Sequence, residues 1–176
     1  MALSHAILVT LLDKPQTGYD LGKRFDQTVG FFWRASHQQI YSELHKMANC
    51  GWVSGQAVEQ SARPNRIVYE ITEAGRQTVQ AWAREDSPAP SVKEELLVKL
   101  FALGTVDKKV MVERIEHRLE EHRGRLVHYR EVMAKHYPKP DKLTANRRGR
   151  YLGLRMGILS EETGIRWCEE ALLALS

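Results

Sequence analysis

Residues 36–51 read SHQQIYSELHKMANCG, and the rest of the chain is best placed around this segment. Ser36 followed three residues later by Gln39 is a capping-box pair, a polar signal for the start of a helix. Gly51 supplies the left-handed stop, and Trp52 just after it can pack back on the last turn. Ile40, Leu44 and Met47 recur at helical spacing, so one face is buried. The opposite face carries Gln38, Tyr41, Ser42 and His45, with His37 in the first turn and Lys46 nearby. A face that only meets water more often carries Lys and Glu. Donor and acceptor side chains of moderate length are what a helix needs to read base edges in a DNA major groove. These residues predict a DNA-reading helix over 36–50.

The flanking sequence supplies a frame for such a helix. Leu3, Ile7, Leu8, Leu11 and Leu12 predict a first helix over 3–12, and DKPQ with Pro15 breaks it. TGYDLGKRFDQTVG opens on the Thr17/Asp20 capping pattern, carries Leu21 and Phe25 one turn apart, and predicts a second short helix ending near Gly30. Phe31, Phe32 and Trp33 are expected to wedge the reading helix onto the core. WVSGQAVEQ and NRIVYEI have the Val/Ile/Tyr/Trp content of strands, and the loop with Ser61, Arg63 and Pro64 joins them as a hairpin. Three helices followed by a β-hairpin is the order of a winged helix-turn-helix. Arg63 and Arg66 at the hairpin tip would meet phosphate or the minor groove. TEAGRQTVQAWARE predicts a fourth helix capped by Thr72, with Gly75 allowing close approach to the hairpin.

SPAPS, residues 87–91, marks the linker, which divides the chain into a DNA-binding domain over 1–86 and a helical dimerisation domain over 92–176. Ser91 and Glu94 predict the cap of a fifth helix ending at Gly104. A long helix runs from Asp107 to about Tyr137, with Val112, Ile115, Leu119, His122, Leu126, Tyr129 and Met133 at unbroken heptad spacing. PKPDK turns the chain. The last helix, about Ala145 to Leu173, repeats that spacing with Tyr151, Leu154, Ile158, Glu161, Ile165, Cys168 and Leu172. Two seams joined by a turn predict an antiparallel coiled coil, with His122 and Glu161 within a residue of each other at mid-seam, either at a seam edge in water or as a buried polar pair that fixes register. The last helix also carries Gly149, Gly153, Gly157, Ser160, Gly164 and Ala171 on one stripe. Each interior glycine costs about 1 kcal/mol relative to alanine, so close packing of another helix is expected there, either from a symmetry-related subunit or the N-terminal helix 3–12. Leu152, Met156, Leu159 and Trp167 make this helix apolar nearly all round, which implies a partner subunit. The expected dimer interface is Gly149, Gly153, Gly157, Ile158, Gly164 and Trp167.

Composition narrows the function further. The 176 residues carry a formal net charge of +4, with a pI near 9.1. Over residues 1–86 nine basic residues face nine acidic ones, so DNA binding there needs a local patch. The absence of a signal-peptide pattern and of any apolar run of membrane length predicts a cytoplasmic protein with no membrane partner. Cys50 and Cys168 stand far apart and read as reduced packing thiols. No nucleophile elbow, P-loop, dinucleotide fingerprint or HExxH is present. His117, His122 and His128 are spaced five and six apart and point in different directions on a helix, so no shared metal site, cofactor or enzyme activity is expected.

LSHAILVTLL, TGYDL, FFWRASHQQIYSEL and RPNRIVYEITEAGR together resemble the PadR family of bacterial transcriptional regulators. KEELLVKLF and RWCEEAL look like its longer, AphA-like branch. MANCG departs from the family pattern, in which a leucine and acidic residues are commoner before the glycine. The resemblance implies a winged-helix domain plus helical dimerisation elements, and mostly repression of transcription. It places Gln39, Tyr41 and Ser42 in the DNA-facing helix, Tyr19 and Lys23 in the helix before it, and Arg63 and Arg66 in the wing. The expected DNA-binding set is therefore Tyr19, Lys23, Ser36, His37, Gln38, Gln39, Tyr41, Ser42, Lys46, Arg63 and Arg66. The expected partners are a double-stranded operator with inverted repeats and a second copy of the chain. A small hydrophobic or aromatic effector, lined by Trp33, Trp82 or Trp167, stays open. The rival reading is a winged-helix module that binds protein, with the coiled coil as scaffold.

Overall fold

Leu3, Ile7, Leu8 and Leu11 fall on one face of the first helix, α1 (Ala2–Leu11), and the last three of them are at most 1% exposed. The computed structural model describes residues 2–26, 35–58, 66–87 and 94–176. The chain separates into two units, Met1–Pro88 and Ala89–Ser176. In the first, a short strand β1 (Gln16–Thr17) leads directly into α2 (Gly18–Asp26). The Thr17 hydroxyl accepts from the Asp20 N–H at 3.1 Å and donates to its carboxylate at 2.7 Å, so the helix starts where the polar pair predicts.

α3 (His37–Asn49) carries the full capping box. The Ser36 hydroxyl accepts from the Gln39 N–H at 3.2 Å, and the Gln39 amide oxygen accepts from the Ser36 N–H at 2.8 Å. At its other end Gly51 has φ 71°, the Trp52 N–H bonds to the Met47 carbonyl at 2.9 Å and the Gly51 N–H to the Ala48 carbonyl at 3.0 Å. That is a Schellman stop, and it needs a residue without Cβ at position 51.

β2 (Val53–Val58) and β3 (Arg66–Ile71) pair antiparallel, Val53 opposite Ile71 and Val58 opposite Arg66. The sheet has three strands in the order β1-β3-β2, one more than the expected hairpin. Gln16 lies opposite Tyr69, and its side-chain amide donates to the Thr10 carbonyl at 3.2 Å. α4 (Glu73–Trp82) is capped by Thr72, whose hydroxyl accepts from the Gly75 N–H and donates to the Gly51 carbonyl. A Cβ at Gly75 would stand 2.2 Å from the Trp52 carbonyl oxygen, so glycine is what lets α4 close on the hairpin. Ile7, Leu8, Leu11, Leu21, Phe25, Ile40, Leu44, Met47, Val53, Tyr69 and Ile71 form one core. Truncating a residue such as Leu44 to alanine there costs about 2–5 kcal/mol.

The second unit contains α5 (Glu95–Leu100), α6 (Lys108–His136) and α7 (Ala145–Ala174), with a 3-10 turn at Pro140–Lys142 between the last two. α5 is shorter than expected. Glu94 is its N-cap, its carboxylate accepting from the Leu96 N–H at 3.2 Å, so Glu94 is not the third residue of a helix begun at Ser91, which lies outside the described residues. The helix ends at Leu100 rather than Gly104, because the backbone passes into tighter i→i+3 bonds from Phe101, Ala102, Leu103 and Thr105. α6 and α7 pack as the antiparallel hairpin, burying Ile115, Leu119, Leu126 and Tyr129 against Leu154, Ile158 and Cys168. At the start of α6 Met111 is buried and Val112 only half-buried, the drift of a 3.6-residue turn against a strict heptad.

Candidate nucleic-acid interface

The caps and apolar stripe of α3 fix which way it faces. Ile40, Leu44 and Met47 are sealed in the core, so His37, Gln38, Tyr41, Ser42, His45 and Lys46 lie on the solvent side. Among the described residues, Gln38, Ser42 and His45 make no side-chain hydrogen bond, and their donors and acceptors are available. Ser36 and Gln39 are exposed too, but the capping box engages the Ser36 hydroxyl and the Gln39 amide oxygen. Their first task is to start the helix, which leaves the Gln39 amide nitrogen free to contact a partner. Lys46 is exposed and pairs with Glu43 at 3.3 Å.

α2 contributes a second row beside this face. Tyr19 is 53% exposed, and the Lys23 ammonium sits 4.5 Å from its ring centre. The hydrogen bond to the Tyr19 phenol holds the Lys23 ammonium above its ordinary pKa range. His37 reaches across from α3, its ring centre 6.4 Å from that of Tyr19. Two glycines missed by sequence reasoning make the approach possible: Gly18 lies under the Tyr41 ring and Gly22 under the His37 ring. Tyr41 also lies near Tyr69, whose phenol burial pushes its pKa up, with Tyr41 adding to the shift. Arg66 is exposed at the first position of β3. Arg63 and the aromatic block with Trp33 lie outside the described residues.

The expected dimer-interface set divides in the structure. Gly149 is open, with nothing within 4 Å of where a Cβ would stand, and Gly153 and Gly157 are half-buried. Ile158 is 4% exposed and belongs to the seam within the chain, so it has no surface left for a partner. Gly164, half-buried, meets His122 within the chain: a Cβ there would stand 2.5 Å from Cε1 of that ring. Trp167 packs on the cluster of Leu96, Ile115, Leu119 and Cys168. The large apolar side chains that α7 leaves exposed are Leu152, Met156 and Leu159, spaced four and three apart, and Leu173 at its C-terminal end. His122 and Glu161 do meet, Nδ1 to Oε2 at 2.5 Å, with side chains 17% and 12% exposed. Arg125, not anticipated, donates from Nε to the other Glu161 oxygen at 3.0 Å. Of the tryptophans considered for an effector, Trp82 is stacked on His5 with ring centres 4.7 Å apart.

Residues 7–81 match the PadR-like family of transcriptional regulators, and residues 92–176 match the virulence activator alpha C-terminal family. A probable transcriptional regulator of Mycobacterium tuberculosis is 36% identical across 99% of this chain and 98% of that protein. The chain belongs to the PadR-like family of transcriptional regulators. The Vibrio cholerae virulence activator AphA is similar over 98% of this chain and 97% of its own, with 35% identity and a TM-score of 0.81. Bacillus subtilis PadR in complex with operator DNA is similar over the whole of both chains, with 25% identity and a TM-score of 0.86. That Bacillus protein is a negative transcriptional regulator and has also been solved with p-coumaric acid. Within the PadR-like family this chain falls on the longer, AphA-like branch, and its relatives are regulators, not enzymes. Among its described residues no helix is long and apolar enough to cross a membrane.

Proposed function

We propose that the chain is a homodimeric repressor that reads an inverted-repeat operator through α3. One observation carries the reading. α3 buries Ile40, Leu44 and Met47 and turns the unpaired Gln38, Ser42 and His45 outward, with no exposed Leu, Phe or Met among them. Side chains of that length and chemistry suit base edges, whereas a helix that docks on protein needs an apolar anchor. Tyr19, Lys23 and Arg66 stand on neighbouring elements as phosphate contacts, and Arg63 joins them by sequence. Dimerisation uses the exposed apolar row Leu152, Met156 and Leu159 with Gly149, Gly153 and Gly157 beside it. A small aromatic effector is the proposed release signal, supported by the p-coumaric acid complex of Bacillus PadR. Cytoplasmic location follows from DNA as the partner.

The test is selection of bound fragments from random duplex DNA by the purified full-length protein. Enrichment of an inverted repeat with half-sites about one helical turn, ~34 Å, apart is expected. Gln38→Ala and Ser42→Ala should each relax the preference within the half-site. Recovery of no common sequence would overturn the reading.

A further inference from the structure

Gly18 and Gly22 stand one turn apart on α2, and His37 and Tyr41 one turn apart on α3. Each glycine receives one ring. A Cβ on Gly18 would lie 2.4 Å from Cε1, 2.9 Å from Cζ and 3.0 Å from Cδ1 of Tyr41. A Cβ on Gly22 would lie 2.7 Å from Cε1 and 2.8 Å from Nδ1 of His37. Real side chains do not approach so closely, so both rings occupy space that only glycine leaves free. The contacts follow the edge of Tyr41 up to the carbon bearing its hydroxyl, and the edge of His37 that carries a nitrogen. The backbone of α2 therefore sets where the polar ends of both side chains stand. Two contacts four residues apart, about 6 Å along each axis, fix slide as well as rotation. Tyr19 and Lys23, each next in sequence to one of the glycines, form the adjoining row, and the Tyr19 ring lies 6.4 Å from that of His37.

We infer that Gly18 and Gly22 are positioning residues for operator specificity, acting through Tyr41 and His37. The inference rests on α3 being the reading helix. Both rings lie at the surface, Tyr41 being 40% exposed, so a displaced ring can swing outward while the core stays closed. The glycines therefore govern which sequence is preferred more than whether the chain folds.

The experiment is a double-mutant cycle on operator binding and half-site selection, using the full-length protein. Gly22→Ala should lower specific affinity roughly tenfold to a hundredfold, the effect of one lost base-pair preference, and change the selected half-site. Affinity for random duplex and its salt dependence should not move. In a His37→Ala background, Gly22→Ala should add nothing, because the ring through which it acts is gone. Gly18→Ala with Tyr41→Ala should behave in the same way. Should Gly22→Ala alone fail to fold, the double variant lacks the obstructing ring, and its comparison with His37→Ala decides the matter. Additive effects, or an unchanged half-site in Gly22→Ala, would overturn the inference. If Gln38→Ala and Ser42→Ala also leave selection unchanged, the assignment of α3 as the reader fails instead.

Discussion

Replacing Gly164 by alanine should destabilise the chain, although alanine is the better helix former by about 0.8–1.0 kcal/mol. The reason is the His122 ring, whose Cε1, Nε2 and Nδ1 would stand 2.5, 2.6 and 2.8 Å from the new Cβ. The ring cannot slide aside freely, because its Nδ1 is held at 2.5 Å by Glu161, three residues earlier on the same helix. Displacing it removes a hydrogen bond to a carboxylate, worth about 1.5–3 kcal/mol. The difference leaves Gly164→Ala destabilised by about 0.5–2 kcal/mol. Gly124 on α6 is the control, since nothing lies within 4 Å of its Cβ position and alanine there should stabilise by up to about 1 kcal/mol. Urea unfolding at one fixed protein concentration measures both, the midpoint moving in opposite directions with unchanged slope. In a His122→Ala background Gly164→Ala should turn stabilising. Equal stabilisation by Gly124→Ala and Gly164→Ala would refute the argument.

Arg66→Ala and Arg63→Ala should weaken binding to every duplex alike and reduce the slope of log affinity against log salt by about one unit each, measured by titration at several salt concentrations. His122→Leu with Glu161→Leu should keep the chain folded but broaden its oligomeric state in sedimentation, because the polar pair that fixes the seam register is gone; one sharp dimer would count against that role. The hydrogen bond from Arg118 holds the Glu94 carboxyl below its usual range, with burial opposing. A depressed folded pKa stabilises above the unfolded value and is lost as pH falls through the folded one. Acid unfolding below about pH 4.5 should therefore lose part of its slope in Glu94→Gln.

How much of this was legible from the sequence follows the range of the signals. α3 could be read almost to the residue because its cap, its stop and its apolar spacing are all local, as at Ser36, Gly51 and Leu44. β1 could not, because two residues show no alternation, and only pairing with Tyr69 makes Gln16–Thr17 a strand. The His122–Glu161 meeting followed from counting along two heptad seams, while Arg125 lies off the seam and was invisible to that count. The neighbour of Gly164 is not written in its own helix. A glycine announces that something comes close, and only the packed hairpin shows that it is His122. Gly18 and Gly22 carried the same ambiguity and needed the crossing of α2 over α3 to resolve it.

Dimerisation should supply much of the operator affinity. Residues 1–86 hold as many acidic as basic side chains, and two of the cations are already engaged: Arg24 pairs with Asp13, and Lys46 with Glu43. With zero net charge over these residues, one unit alone has little of the sequence-independent attraction that dominates most DNA binding. Two linked units gain instead from effective concentration, a factor of roughly 10²–10⁴ for a linkage that spans both sites. Leu152 and Met156 are 58% and 64% exposed, so charges placed there leave the intrachain seam alone. Leu152→Glu with Met156→Glu should give a folded monomer by sedimentation and circular dichroism. Its operator affinity should fall by about that linkage factor and its salt slope by about half, while its preference within one half-site stays as before. A monomer that binds the operator as tightly as the parent would show that the two reading helices do not act together. A variant that remains dimeric would show that this row of α7 is not where the copies meet.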